Sequence, residues 1–305
     1  MLSQSILSDF RQTCLERNLG VHALSVFQQG SEPIQHFNWA NDRYELWSGS
    51  KTFTSLAVGI AQAEGRLNLT DHVLDYFPEC VATATPGSEA IRIVDLLQMR
   101  CGKDFEIFHT EDEATIAHTD GAELFFQGEQ VVAPGVRFFY ANAATYMLSR
   151  LVEVTSGQVL LDYLVPRLFE PLGIYNPWWN ADAHGHTIGF IGLQLKVSEF
   201  AKLGRLLLQD GRWEDAQLVP AAYVQALHTD TVPPEKHFEG DEWDAGYGYQ
   251  VWSNVWPGSY RADGMYGQFS IVVPDRNAVV TLLSHNEQST AAILAAVFAD
   301  LVPKL

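Results

Sequence analysis

Residues 47–65 read WSGSKTFTSLAVGIAQAEG, and this stretch decides how the rest of the chain is interpreted. From Ser50 to Glu64 the apolar residues recur at helical spacing, at Phe53, Leu56, Ala57, Ile60 and Ala61. The spacing predicts a helix with one buried face that ends at Gly65. Ser48 precedes Lys51 by three residues at the start of this helix, and residues three apart share a helical face. The two side chains can therefore meet.

A serine beside a lysine has a chemical use. A serine hydroxyl is a weak nucleophile at neutral pH and needs a base next to it, which a neutral lysine can supply. The positive N-terminal end of the helix favours negative charge, and the backbone N–H of Ser48 can donate to a developing oxyanion. Taken alone, the pattern fits equally an N-cap serine followed by a surface lysine.

A second pair of polar residues lies before another predicted helix. Tyr140-Ala141-Asn142 places a phenol and a carboxamide two residues apart, at the start of the helical segment AATYMLSRLVEVTSG. A phenol near a lysine can take a proton from a serine and return it to a leaving group. An amide side chain can orient both the lysine and a substrate carbonyl. The alternative is an aromatic core residue beside a helix N-cap asparagine.

Together these motifs resemble the serine β-lactamase and penicillin-binding-protein superfamily. The resemblance runs from about residue 20 to 290 and is to the branch of class C β-lactamases, family VIII esterases and 6-aminohexanoate-dimer hydrolases. Further segments occur in the order that the family has them: IVDLLQMRCG, PGVRFFYAN, FEPLGI, IGLQLKVSEF and YGYQVW. It implies that Ser48 forms an acyl-enzyme, that Lys51 and Tyr140 share the acid and base roles, and that Asn142 positions the substrate. Which of Lys51 and Tyr140 is the base stays open.

The third motif of that superfamily departs from its pattern here. Relatives that recognise penicillin carry Lys-Thr-Gly or His-Thr-Gly on a strand, and we align Ala262-Asp263-Gly264 with it. Its backbone role survives, since the N–H of Met265 can pair with that of Ser48 as an oxyanion hole. The lysine or histidine that binds a substrate carboxylate in those relatives is missing here. Asp263 disfavours a substrate that carries a carboxylate unless Arg261 compensates for its charge. An ester or small amide is therefore the preferred substrate. A β-lactamase or D-alanyl-D-alanine carboxypeptidase is the alternative, and a non-catalytic ligand-binding homologue is the alternative of another class.

Composition narrows the remaining roles. The net charge of −18 over 305 residues repels phosphate backbones and anionic lipids, so neither nucleic acid nor a membrane is expected as partner. Cys14, Cys80 and Cys101 form no CxxC pair, and the His184-Gly185-His186 segment has no third ligand at suitable spacing, so no metal or other cofactor is expected. The N-terminus shows an amphipathic helix in place of an export signal, which favours a cytoplasmic protein.

The order of predicted elements indicates an α/β (α+β) fold of β-lactamase/transpeptidase type. An antiparallel sheet with flanking helices would be built from both termini, residues 1–65 and 236–305, with an inserted all-helical subdomain at 66–235. Residues 21–30 and 33–39 are predicted to form a β-hairpin, and residues from about 288 to 301 a final helix. Residues 102–133 read as a long loop, either a lid over the site or an irregular connection. Among the aromatic residues, Trp47, Trp252 and Tyr266 are candidates for the pocket wall, although many of the aromatic side chains are expected to be core.

Overall fold

The computed structural model describes residues 2–38, 40–103, 120–234 and 241–305 of the chain. A six-stranded antiparallel sheet in the order β2-β1-β10-β9-β8-β7 forms its centre. Its strands are β1 (Val21–Gln28), β2 (Ile34–Phe37), β7 (Trp252–Ser253), β8 (Tyr260–Gly264), β9 (Gln268–Val273) and β10 (Ala278–Ser284). Both ends of the chain contribute to this sheet, which confirms the predicted architecture.

The register of the sheet joins the two termini directly. β1 pairs with β10 from Gln28 opposite Ala278 to Val21 opposite Ser284, with an irregularity between Val21 and Ala23. β1 also forms the predicted hairpin with β2. β9 and β10 are buried along their whole length, as expected of central strands rich in β-branched residues. Within the described residues, two further short pairs of strands lie outside this sheet: β3 (Tyr44–Glu45) with β4 (Gln194–Leu195), and β5 (Arg212–Trp213) with β6 (Ala216–Gln217).

Helices occupy the middle of the chain and its two ends. The α-helices in chain order are α1 (Ser8–Glu16), α2 (Ser50–Ala63), α3 (Ile93–Leu97), α4 (Gly121–Gln127), α5 (Asn142–Ser156), α6 (Leu160–Leu164), α7 (Val197–Leu208), α8 (Ala221–Thr229) and α9 (Thr290–Ala296). Helix α9 continues into a π-helical segment, Val297–Leu301, which agrees with the predicted C-terminal helix. Helix α1 lies against it, and Thr13 donates a hydrogen bond to Asp300 at 2.6 Å.

Helix α7 packs against the sheet rather than away from it. A methyl group on Gly204 would overlap the side chain of Val279 and lie 2.6 Å from Ser270 Oγ, so the missing side chain lets the helix approach β9 and β10 closely. The boundary of the subdomains at 66–235 stays a prediction.

Helix α2 is more deeply buried than the sequence predicts. Every residue from Ser50 to Ala61 is buried, not one face alone. The polar positions are covered too: Ser55 Oγ lies 2.9 Å from the Tyr223 hydroxyl of α8, and Thr54 donates to the carbonyl of Gly189 at 2.7 Å. A periodicity of apolar residues cannot show this, because the second face is polar in sequence but hydrogen-bonded in the fold.

The expectation of a loop throughout 102–133 is wrong in part. Residues 121–127 form helix α4, in which Asp120 accepts a hydrogen bond from the N–H of Ala122 as N-cap. Its short apolar face, with Phe125 and Phe126 buried, carries too few residues for a helical period to be read from sequence. Half of the predicted lid, residues 104–119, lies outside the described residues. No helix within the described ranges is long and apolar enough to cross a bilayer.

Candidate active site

The candidate nucleophile lies on a tight turn that leads directly into α2. Trp47–Gly49 form one turn of 3₁₀-helix, closed by a hydrogen bond from Gly49 N to Leu46 O at 2.9 Å. Trp47 has φ 49°, in the left-handed region that costs a bulky residue on the order of 1–3 kcal/mol. The backbone N–H of Ser48 follows this residue immediately. The conformation of Trp47 therefore sets the direction of that N–H.

Lys51 connects the predicted residues. Its side chain is 1% exposed, and Nζ donates to Ser48 Oγ at 2.9 Å and to Asn142 Oδ1 at 2.8 Å. A third, longer hydrogen bond of 3.3 Å reaches the carbonyl of Phe190. Two of these acceptors come from other parts of the chain. The fold thus brings together residues that are 91 positions apart in sequence.

Tyr140 lies on the other side of the lysine. Lys51 Nζ is 5.0 Å from the centroid of the Tyr140 ring. The ring stacks on Trp252 at 5.6 Å between centroids and meets Tyr247 edge-on at 5.8 Å. Trp252 is a predicted pocket residue. It is buried behind Tyr140 and fixes the orientation of that ring.

The third-motif strand, β8, runs directly beside the turn that carries Ser48. A methyl group on Gly264 would overlap the carbonyl oxygen of Leu46 and lie 3.1 Å from Gly49 N. Only glycine allows the strand to come this close. Ala262 is fully buried, and Met265, just beyond Gly264, is 55% exposed. The Ala262-Asp263-Gly264 segment therefore lies on the strand beside the turn that carries Ser48.

Within the described residues, Asp263 is held through one of its two carboxylate oxygens. Its Oδ2 accepts hydrogen bonds from Arg261 Nε at 2.8 Å and from Trp243 Nε1 at 3.1 Å. Burial raises the pKa of this carboxyl above its usual range, while Arg261, Trp243 and, more weakly, Lys51 act in the opposite direction. Burial also raises the pKa of Tyr247, with the nearby Tyr140 and Asp263 adding to the effect.

The two remaining pocket candidates form the rim beside this strand. Trp47 and Tyr266 meet edge-on, with ring centroids 5.3 Å apart. Tyr266 also has a left-handed backbone, at φ 64°, and its other face stacks on His285. Both rings are half-buried, so they flank the cleft next to Ser48 and Met265.

Sequence reasoning missed several residues that position the site. The carbonyl of Phe190 accepts a hydrogen bond from Lys51. Gln250 links helices α2 and α5, because its backbone carbonyl accepts from Thr52 at 2.9 Å and its side chain accepts from Thr145 at 2.6 Å. The segment GFIG carries a signal for Phe190, since it begins with Gly189. This glycine has φ 79°, and a side chain at its position would overlap Ser149. Nothing in the sequence singles out Gln250.

The histidine and cysteine predictions can be placed as well. His186 Nδ1 lies 2.8 Å from a carboxylate oxygen of Glu153, and no group of three or more metal-ligating side chains occurs within the described ranges. Cys14, Cys80 and Cys101 are free thiols.

Comparison with known proteins gives the same family as the motifs. A sequence model of the family described as "Beta-lactamase" matches residues 28–302. The Staphylococcus aureus (strain MW2) relative "Protein flp" is 27% identical over 159 residues, which is 51% of this chain and 32% of that protein. The Escherichia coli (strain K12) relative "Beta-lactamase" is 29% identical over 137 residues, which is 45% of this chain and 35% of that protein. The matches thus span about half of this chain and about a third of these relatives.

Solved structures share the fold at low identity. A Bacillus anthracis protein provisionally described as a 6-aminohexanoate-dimer hydrolase superposes with a TM-score of 0.77 at 18% identity, over 95% of this chain and 80% of its own. A class C β-lactamase mutant gives 0.76 at 15% identity over 99% and 96%, and the penicillin-binding protein from Bacillus halodurans gives 0.71 at 20% identity over 97% and 98%. These likenesses show the fold, and the residues of the site have to carry any further argument.

Proposed function

The chain belongs to the β-lactamase family, and on that premise we propose that it is a serine hydrolase that cleaves an ester or small amide through an acyl-enzyme on Ser48. One observation carries the proposal. Lys51 Nζ lies between Ser48 Oγ and Asn142 Oδ1, at 2.9 and 2.8 Å. A nucleophile within hydrogen-bond reach of a base, which is itself oriented by a third group, is the arrangement that activates a hydroxyl.

The proposed first step is attack of Ser48 Oγ on the substrate carbonyl. Lys51, as the neutral amine, accepts the hydroxyl proton across its 2.9 Å contact with Ser48 Oγ and becomes an ammonium group. Tyr140 gives a proton to the departing alcohol or amine and regains one from Lys51, whose ammonium group lies over its ring. In the second step water attacks the acyl-enzyme, and the same groups return the proton to Ser48.

Two backbone N–H groups would stabilise the oxyanion formed in both steps. They are those of Ser48 and Met265, which the close approach of Gly264 to the 3₁₀-turn brings to the same edge of the cleft. Asn142 would hold Lys51 and the substrate amide or ester oxygen through its two ends. This chemistry needs no metal or cofactor.

The substrate class follows from the third motif. Asp263 stands where a carboxylate-binding relative would offer a hydroxyl, and Ala262 where it would offer a cation. Arg261 does not supply the missing charge to the cleft, because its side chain is 0% exposed and is engaged by Asp263 Oδ2 at 2.8 Å. We therefore propose neutral esters or small amides ahead of β-lactams and D-alanyl-D-alanine peptides.

Active-site labelling tests the nucleophile. A fluorophosphonate probe should label the wild-type protein and fail to label Ser48→Ala. Ser50→Ala is the matched control, since Ser50 lies two residues away and accepts a hydrogen bond from Leu193 N at 3.3 Å. Absence of labelling in the wild type, or equal labelling of Ser48→Ala, would favour a non-catalytic ligand-binding protein.

A substrate panel tests the class. The panel contains p-nitrophenyl butyrate, nitrocefin, a D-alanyl-D-alanine peptide and the 6-aminohexanoate dimer. We expect Ser48-dependent turnover of the ester to exceed that of nitrocefin. Rapid nitrocefin turnover with poor ester cleavage would refute the substrate preference and support the β-lactamase alternative.

A further inference from the structure

A cavity of about 260 Å³ opens at the edge of the cleft beyond the third motif. Met265 and Tyr266 form its side nearest Ser48, and Trp243 forms a wall. The opposite side is the segment that enters α9, which includes Glu287 and Ser289. The cavity therefore begins at the residue whose N–H is proposed to bind the oxyanion, so a substrate attached to Ser48 can extend into it.

The charge that lines the cavity is negative. Glu287 is the one charged side chain among its described lining residues, and it is 73% exposed on the side chain. His285 Nε2 lies 3.2 Å from Glu287 Oε1. No lysine or arginine of the described ranges lines the cavity.

The groups behind the cavity wall carry a further negative charge. Arg261 Nε is 2.8 Å from Asp263 Oδ2, and Arg261 Nη1 is 3.9 Å from Glu242 Oε2. One guanidinium thus faces two carboxylates, which leaves an excess of one negative charge. Trp243 Nε1 donates to Asp263, so this cluster is attached directly to the indole that forms the wall.

One carboxylate oxygen of Asp263, Oδ1, accepts no hydrogen bond from the residues that the structure describes. Both of its hydrogen bonds within the described residues go to Oδ2, and its side chain is 13% exposed. A carboxylate held on one oxygen keeps the other as an oriented acceptor. The ring of Tyr266 adds an aromatic wall, which attracts cations through its negative face.

We propose that this cavity binds a positively charged, ammonium-bearing part of the substrate. Glu287 in its lining and Asp263 behind its Trp243 wall are the residues that determine this specificity. The inference rests on the proposed function, because it concerns the substrate that Ser48 would attack. Binding of this kind makes the enzyme selective for cationic esters or amides. Relatives with a lysine or histidine in the third motif select substrates that carry a carboxylate. Focusing of the field by apolar walls strengthens the selection in the cleft.

Two pairs of isosteric substrates test the inference, one for each side of the scissile bond. Butyrylcholine is compared with 3,3-dimethylbutyl butyrate, and the p-nitrophenyl ester of 4-(trimethylammonio)butanoate with that of 5,5-dimethylhexanoate. Each pair differs by nitrogen for carbon, so only the charge changes. In at least one pair we expect kcat/KM of the cation to exceed that of the neutral partner by about tenfold or more, which is the scale of a cation–π contact combined with a nearby carboxylate.

Variants assign the preference to the cavity. Glu287→Gln should lower the ratio of cationic to neutral kcat/KM by about threefold at low salt, and about 0.5 M NaCl should lower it in the wild type. Asp263→Asn should lower it further. Since that variant leaves the buried Arg261 short of a counterion and can fold poorly, the exposed Glu287 keeps the test independent of folding. Glu170→Gln removes one exposed charge elsewhere and should leave the ratio unchanged.

The outcomes separate the two proposals. If the neutral esters are hydrolysed and the ratio is one or less in both pairs, the inference is overturned and the proposed function stands. A cationic preference that Glu287→Gln and Asp263→Asn leave intact also overturns it. If no ester is hydrolysed and no fluorophosphonate label forms, the proposed function falls and the inference with it.

Discussion

Replacing Gly264 by alanine tests whether the contact between β8 and the 3₁₀-turn organises the site. The added methyl would overlap the carbonyl oxygen of Leu46 and would also lie 3.1 Å from Gly49 N and 3.0 Å from Gln268 Cβ. The first two of these neighbours are backbone atoms, so no side chain can rotate away. Because non-bonded carbon atoms settle about 3.5–4.0 Å from their neighbours, strand and turn must separate by about 1 Å.

That movement separates the two proposed oxyanion donors, Ser48 N and Met265 N, because one lies on the turn and the other on the strand. Misplacement by about 1 Å can cost on the order of 10²-fold in rate, which corresponds to about 2.7 kcal/mol of activation free energy. We therefore expect Gly264→Ala to lower kcat/KM for p-nitrophenyl butyrate about 10²-fold and to slow fluorophosphonate labelling in parallel.

A second crowded glycine provides the control for this experiment. Gly204 also lies where a methyl would overlap neighbours, the side chains of Val279 and Ser270, but it packs α7 against the sheet. Gly204→Ala should lower the melting temperature while the folded fraction keeps its labelling rate. If Gly264→Ala retains near-normal kcat/KM, or loses activity only in proportion to unfolded protein, the contact does not organise the oxyanion hole.

Three further predictions follow from the contacts and pKa values. Lys51→Ala and Tyr140→Phe should each slow fluorophosphonate labelling by about 10²-fold or more while the melting temperature is largely retained. The rates are measured from quenched reactions separated on gels, and near-normal rates would refute the assigned roles. Burial lowers the pKa of Lys103 to about 8, so between about pH 8 and 10.5 the unfolded chain binds a proton that the folded chain has lost. The free energy of unfolding of the wild type, measured by urea titration, should therefore rise relative to that of Lys103→Met as the pH increases through this window. A difference that stays constant or falls would contradict this. Burial raises the pKa of Cys14 to about 12 and that of Cys80 to about 11, so Ellman's reagent at pH 8 should react far more slowly with native than with urea-unfolded protein, and equal rates would show that these thiols are open.

The sequence predicts those helices and strands whose apolar residues recur at a regular spacing or that end at a residue such as glycine. The hairpin of β1 and β2 and the helix from Ser50 to Gly65 are confirmed, because alternation and helical spacing are local properties. The helix at 121–127 escaped prediction, since its seven residues lie inside a region with no pattern. Short elements of this kind are stabilised by what packs on them.

What the sequence by itself determined is the set of chemical groups: a serine three residues before a lysine, a tyrosine two before an asparagine, and an aspartate before the third-motif glycine. Those spacings are fixed by the chain, and they sufficed to indicate the family. Only the tertiary structure decided which groups meet. It places Asn142 on Lys51 across 91 residues, directs Arg261 to Asp263 and away from the cleft, and forms the acidic cavity beside Met265. The physical reason is that distance and burial between distant segments depend on packing of the whole sheet and its helices, which no local pattern records.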